Sequence, residues 1–234
     1  MMKPLLLGGA VLVALAVGSV SAIRRRQRRL GVAGFARKFN FSHHPHDPFS
    51  LLWDYNFPLF EMGDGRGCEN VVWGEWKGLP FRETDYWYYE EATNRKGNMR
   101  TYRRFNAVVI DIPAYLPRVT VSREGIGSLL ASGIGWRDIQ FESEDFNRTF
   151  EVRAEDPEFA FKLIDPGMMH WMLSTDDIFG FQFYGSAILV WSRRLRPTEL
   201  FPLIGTAKEM YDHIPRLVWA DYGTETGRTA GTGQ

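Results

Sequence analysis

Three histidines and a carboxylate fall within five residues, in His43-His44-Pro45-His46-Asp47. Neutral imidazoles with a carboxylate form a donor set for zinc, nickel or copper, and such an ion could activate water for hydrolysis. The spacing opposes this. Two histidines share a helical face at a gap of three or four residues, and Pro45 and Pro48 keep the stretch out of a helix. The segment reads as a polar, proline-punctuated loop whose Asp47-Pro48 opens a short turn into residues 49–53. A metal-assisted hydrolase built on His43, His44, His46 and Asp47 is kept as the enzymatic alternative, and no residue is assigned as a metal ligand.

Other candidates are fewer. Glu61-Met62-Gly63-Asp64-Gly65-Arg66-Gly67-Cys68 is glycine-rich, but it lacks the Gly-Lys-Ser/Thr ending and following helix of a phosphate loop. It reads as a hairpin-type loop with glycines at positive φ. Cys68, the single cysteine, has no basic or histidine neighbour in sequence to activate it. His170 and His213 lie in apolar helical patterns that suit structural histidines. The acid pairs Glu142/Glu144 and Asp176/Asp177 suit turns and caps better than acid–base work. No Gly-x-Ser-x-Gly elbow, dinucleotide fingerprint or aromatic RNA-binding motif occurs. No catalytic or cofactor-binding residue is therefore assigned, and no cofactor is expected.

The strongest positional signal precedes all of these. Residues 4–23 pass without a charge, and Arg24-Arg25-Arg26-Gln27-Arg28-Arg29 follows at once. Twenty residues of helix span about 30 Å, the thickness of a bilayer's hydrocarbon. Cations flanking a span stay in the cytoplasm, so the N-terminus is expected outside and the remainder inside. The bilayer is thus one expected partner, through residues 4–23. Anionic headgroups are another, through Arg24, Arg25, Arg26, Arg28 and Arg29. The rival is a signal peptide cut after Ala22, which would make the protein exported. Against it, the mature chain would begin with Ile23 and a run of arginines that resists translocation.

The chain carries 28 basic and 28 acidic residues, but residues 1–29 hold six of the basic ones and no acid. Residues 30–234 carry 22 basic against 28 acidic side chains, a poor match to nucleic acid. An aromatic share of 15% is too high for a disordered tether.

These observations imply four parts: a membrane anchor with basic flank at 1–29, a juxtamembrane helix and linker at 30–69, an α+β domain at 70–215, and a disordered tail at 216–234. In the second part, residues 30–39 suit either a helix lying at headgroup level or a first helix packing on the domain. Strands are expected at 70–77, 81–91, 99–112 and, after a break at Pro113 and Pro117, at 118–122. Residues 143–148 read as a polar turn. Asp156-Pro157 and Asp165-Pro166 mark two helix starts, the second Met-rich. Residues 178–184 and 187–193 read as a hairpin about Gly185-Ser186, and 198–213 as a closing amphipathic helix. The fold class is α+β: an N-terminal transmembrane helix, then a mostly antiparallel sheet with packed helices. Aromatics Tyr86, Trp87, Tyr88 and Tyr89 occupy both faces of one strand. One set can line the core, and the other must be covered, line a groove or be exposed.

The segment Phe141-Glu142-Ser143-Glu144-Asp145-Phe146-Asn147-Arg148-Thr149-Phe150-Glu151-Val152, continued by Asp156-Pro157 and Ala160, resembles a pattern of uncharacterised bacterial membrane-anchored proteins, ES-x-x-FN-x-x-F-x-V. A single N-terminal span, a basic flank and a stretch like Gly34-Phe35-Ala36 belong to that group. The likeness covers most of residues 1–215, implies the anchor-plus-domain arrangement and carries no known chemistry. His43, His44 and His46 lie outside the pattern. The expected function is an interaction or scaffold module tethered at the cytoplasmic side of the membrane. Exposure of Trp76 or Trp87 in a contiguous patch would favour that reading.

Overall fold

The computed structural model describes the backbone of residues 3–94, 97–123, 136–175 and 178–225, and side chains from residue 20 onward apart from Asn94. Helix α1 (Lys3–Lys38) leads to strand β1 (Ser42–His46), a short helix α2 (Leu51–Asp54) and a 3-10 turn (Pro58–Glu61). Three long strands follow: β2 (Gly65–Trp76), β3 (Leu79–Asn94) and β4 (Gly97–Arg123). Then come β5 (Arg137–Ile139), α3 (Glu144–Thr149), β6 (Phe150–Ala154), α4 (Pro157–Leu163) and α5 (Pro166–Leu173). The described chain closes with β7 (Ile178–Arg193), a 3-10 turn (Pro197–Glu199), α6 (Leu200–Asp212) and α7 (Arg216–Tyr222). The strands form one antiparallel sheet in the order β1-β2-β3-β4-β6-β5, with β7 also paired to β4. This is the expected α+β class.

The β2–β3 turn is set by Lys77 and Gly78, both left-handed at φ 50° and 79°. Two positive φ values in succession match the twist of the flanking strands. Two expectations fail further on. The break at Pro113 and Pro117 does not end a strand: β4 runs through it as one element, and its register to β7 shifts between Asp111 and Leu116 and again between Leu116 and Val119. Prolines are tolerated there because the ladder is already interrupted. The hairpin expected about Gly185-Ser186 is also absent. Residues 178–193 are one strand, paired with β4 from Ser122 to Phe105, and Gly185 (φ 57°) lies opposite Leu116, where both strands are irregular. A turn signal in the sequence is thus a shared bend.

Side chains alternate across the sheet and build two cores. One face packs Phe81, Val108, Ile110 and Val190 against Val32, Phe35 and Ala36 of α1 and against α4, α5 and α6. The other packs Tyr86, Tyr88, Phe105 and Trp191 under Leu51, Phe57, Leu59 and Phe60. Residues 30–69 are therefore not a linker: α1 with Phe39 and Phe41 completes the first face, β1 extends the sheet beside β2, and residues 51–60 roof the second. Of the two readings of residues 30–39, the structure has the helix packed on the domain. The segment is too apolar to leave the sheet uncovered. The tail expected at 216–234 likewise begins as helix α7, with Val218 and Trp219 buried; residues 226–234 lie outside the described residues.

The helix starts are as expected. Asp156 accepts from the backbone N–H of Glu158 and Phe159, and Asp165 from that of Met168. The ES-x-x-FN-x-x-F-x-V segment is structural. Instead of a turn it makes α3, with Ser143 accepting from the Phe146 N–H. Asn147 pins the backbone of Phe141 by accepting its N–H at 2.9 Å and donating to its carbonyl at 2.6 Å. Phe146, Phe150 and Val152 are buried. Among the described residues no helix is long and apolar enough to cross a membrane. The side chains of the expected span up to residue 19 lie outside the described residues.

Candidate functional site

The histidine cluster does not converge. On β1, residues alternate between faces, so His44 and His46 share the exposed side while His43 points to the other. The N–H of His46 donates to Nδ1 of His44 at 3.3 Å. Burial, followed by the charges of His44 and Arg29, pushes His43 below its ordinary range. Asp47 is used locally, accepting from the N–H of Phe49 at 2.9 Å and of Leu51 at 2.7 Å. No group of three metal-ligating side chains occurs among the described residues. His170 is exposed, and His213 stacks on Trp171 at 4.8 Å. Glu142 and Glu144 are exposed at the start of α3, and Asp176 and Asp177 lie outside the described residues. Cys68 is buried, which raises its thiol pKa. Gly65 and Gly67 belong to β2 rather than to a loop. A Cβ on either would sit 2.4 Å from the Tyr89 ring or 2.8 Å from the Trp87 ring, so close aromatic packing requires these glycines.

The polar side chains that do converge lie under α1. Ser21, Arg24, Arg25, Arg28, Val32, Phe35 and Ala36 recur at intervals of three and four, which places them on one helical stripe. The C-terminal part of that stripe is apolar and lies in the core. Arg28 comes next, and its guanidinium grips Asp85 through both branches, with Nε donating at 2.8 Å. It also donates to the Leu195 carbonyl at 2.5 Å. The Arg28 and Asp85 side chains are only 10% and 7% exposed. Arg28 is therefore not available to headgroups, contrary to the expectation from its place in the basic run.

Other strands complete the network. Asn70 of β2 donates to Asp85 at 2.9 Å. Asn106 of β4 donates at 2.7 Å to both Asp85 and Glu83, and its carbonyl accepts from the Leu195 N–H at 2.8 Å. Glu83 is fully buried, and one of its oxygens has no partner among the described residues. Burial and the charge of Asp85 push the Glu83 carboxyl up to about 8, against the pull of Arg28 and Asn106. Burial also acts on Asp85, but the hydrogen bond and charge of Arg28, then Asn70 and Arg194, hold its carboxyl below the ordinary value. One acid is thus kept neutral and its neighbour ionised.

One helical turn nearer the N-terminus the stripe opens into a cavity of about 360 Å³ lined by Ser21, Arg24, Arg25, Glu69, Arg104 and Arg194. Arg194 lies 3.7 Å from Asp85. Burial, with the charges of Arg28 and Arg104, lowers its pKa despite Asp85. Beside the cavity Trp87, Tyr89 and Tyr102 form a contiguous aromatic plate, with ring centres 5.3 to 6.3 Å apart. The Arg104 guanidinium lies 5.2 Å from the Tyr102 ring centre.

The fold has a solved counterpart. It is similar to the crystal structure of the mycobacterial trehalose monomycolate transport factor A, TtfA, at 14% sequence identity and a TM-score of 0.60, over 81% of this chain and 95% of that one. At that identity the likeness shows the fold alone. No family model matches the chain, and no curated protein matches it.

Reading the sequence missed Glu83, Asp85, Asn106 and Arg194 altogether. One signal was present: Glu83 and Asp85 interrupt the face of β3 that Phe81 begins, and a charged pair inside an aromatic strand asks for a buried cation.

Proposed function

We propose that the chain is a single-pass membrane-anchored interaction module whose folded domain lies on the cytoplasmic side. Residues 4–23 cross the bilayer in this reading, with Arg24, Arg25, Arg26 and Arg29 at the headgroups. The observation that carries it is the docking of α1. The helix continues without interruption from Lys3 to Lys38, and Arg28 with Val32, Phe35 and Ala36 holds its C-terminal part on the sheet. An anchor so built presents the domain to the membrane in one orientation. The partly exposed Trp87, Tyr89 and Tyr102 supply a contiguous surface for a partner. The resemblance to membrane-anchored bacterial proteins supports the anchor. TtfA, which shares the fold, is a transport factor, and this supports an accessory role beside a transport process rather than catalysis.

The test is protease accessibility of the C-terminus in intact spheroplasts, with membranes washed in carbonate and blotted for size. The proposal predicts a full-length, carbonate-resistant and protected protein. Digestion of the tail, or a product shortened by about 22 residues through cleavage after Ala22, overturns it in favour of an exported protein.

A further inference from the structure

The arginine-lined cavity beside α1 carries more charge than the fold consumes. Arg28 already neutralises Asp85 through a two-branched contact. Glu83, kept protonated near neutral pH by its burial, adds no counter-charge. That leaves Glu69 facing Arg24, Arg25 and Arg104 around one concavity, with Arg194 lining it 3.7 Å from Asp85. No carboxylate among the described residues pairs with Arg24, Arg25 or Arg104. Four arginines line one concavity and, among the described residues, only Arg194 of them is ion-paired, with Asp85, so the fold tolerates a surplus of positive charge at a place where helix and sheet could have been closed by apolar contact. Such an arrangement suits a tetrahedral oxyanion, because planar guanidinium groups take two phosphate oxygens at a time.

We propose that this cavity is a binding site for a phosphate group, with Arg104 of β4 and Arg194, the residue after β7, completing a cradle that Arg24 and Arg25 begin on the helix. Two features favour a phospholipid headgroup as the source. The cavity lies against the first residues after the apolar run, the level at which headgroup phosphates stand if residues 4–23 span the bilayer, so the lipid source rests on the anchoring proposed above. The Trp87, Tyr89 and Tyr102 plate adjoins it, and tryptophan and tyrosine rings favour the bilayer interface. The same oxyanion chemistry is offered by a free phosphate, and the experiment separates the two.

The full chain, purified in dodecyl maltoside micelles, is heated while one of three probes is titrated: phosphatidylinositol, phosphatidylcholine, or inorganic phosphate against chloride of equal ionic strength. Phosphatidylinositol is expected to raise the unfolding midpoint at doping levels where phosphatidylcholine does not. Arg104→Gln is expected to weaken that response at least about tenfold, the worth of one charge-assisted contact, while Arg104→Lys retains part of it. Arg103→Gln removes the same charge one residue away, on the other face of β4, and is expected to change the response less than about twofold. Arg104 is exposed, so its replacement leaves the fold intact, which ligand-free midpoints verify. Arg194→Gln provides a second reading from the segment that follows β7. A response to inorganic phosphate equal to that of the lipid keeps the cavity and assigns it a free phosphate. Absence of a response to every probe, or equal losses from Arg103→Gln and Arg104→Gln, overturns the site. Carbonate extraction of cell membranes reports on the anchor separately, so an anchored protein without the lipid response, or the reverse, identifies which proposal has failed.

Discussion

The two faces of the sheet are stabilised by different physics. The face roofed by residues 51–60 buries no charged side chain among the described residues: Tyr86, Tyr88, Phe105 and Trp191 pack against Leu51, Phe57, Leu59 and Phe60, and its buried polar groups are neutral, as in Gln182, which accepts from the Leu59 N–H at 3.2 Å. The face under α1 begins the same way and then changes, because Glu83, Asp85 and Asn106 replace the apolar row where Arg28 descends. Burying charge costs several kcal/mol per ion before pairing recovers it. The α1 face therefore gains little stability from this network. It gains register: only one rotation and one axial position of α1 satisfy Asp85, Leu195 and Asn106 together. A grip of that kind orients an anchor, whereas an apolar roof can tolerate sliding.

The largest effect that would break this comparison is expected from Arg28→Ala. It leaves Asp85 buried without its cation and should cost about 3–5 kcal/mol in urea unfolding. Replacing both partners, as Arg28→Met with Asp85→Leu, should recover more than half of that loss while freeing the helix register. If the single variant costs less than about 1 kcal/mol, the network does not constrain the helix.

Glu83 sharpens the contrast through pH. Its carboxyl is held above the usual 4.5, at about 8, chiefly by burial, so the folded state keeps a proton that the unfolded state releases between those values. The stabilisation is full below about pH 4.5 and is lost as the pH rises through about 8. Unfolding of the wild type and Glu83→Gln across this range should show the wild type losing stability relative to the variant. A constant difference would mean that Glu83 does not titrate there. Asp85, held low, acts at more acid pH and in the opposite sense, and comparison with the glutamine variant cancels it.

On the roofed face the expected effects are smaller and depend on individual hydroxyls. Tyr86 donates to the Leu59 carbonyl at 2.6 Å in a buried setting, so Tyr86→Phe should cost about 1–3 kcal/mol. The hydroxyl of its neighbour Tyr88 is buried without a partner among the described residues. Tyr88→Phe should be neutral or slightly stabilising in the same urea unfolding. Smallest of all, joint replacement of the exposed His44 and His46 by alanine should shift stability by less than about 0.5 kcal/mol. A larger loss would restore a role for the histidines.

Much of the architecture is legible in the sequence because its causes are local. Capping carboxylates before Pro157 and Pro166, the stripe of α6 and the alternating aromatics of β3 each act within a few residues. The features that mislead have causes elsewhere in the chain. Pro113, Pro117 and Gly185 look like strand ends in isolation, and their strands continue because β4 and β7 bend together. Residues 30–69 look like a connection because their partners are the two faces of a sheet made later in sequence. The basic run reads as one headgroup patch, yet helical phase turns Arg24, Arg25 and Arg28 toward the domain.

The sequence by itself determined the α+β class, the helix starts and the apolar-then-basic order of the N-terminus, since composition, capping and periodicity are properties of neighbouring residues. Only the tertiary structure decided which arginine is buried, which acid keeps its proton and where a cavity opens. Desolvation and pairing depend on residues 57 and 167 positions apart, as in the contacts of Arg28 with Asp85 and Leu195, and no local pattern encodes which distant group will stand beside a charge.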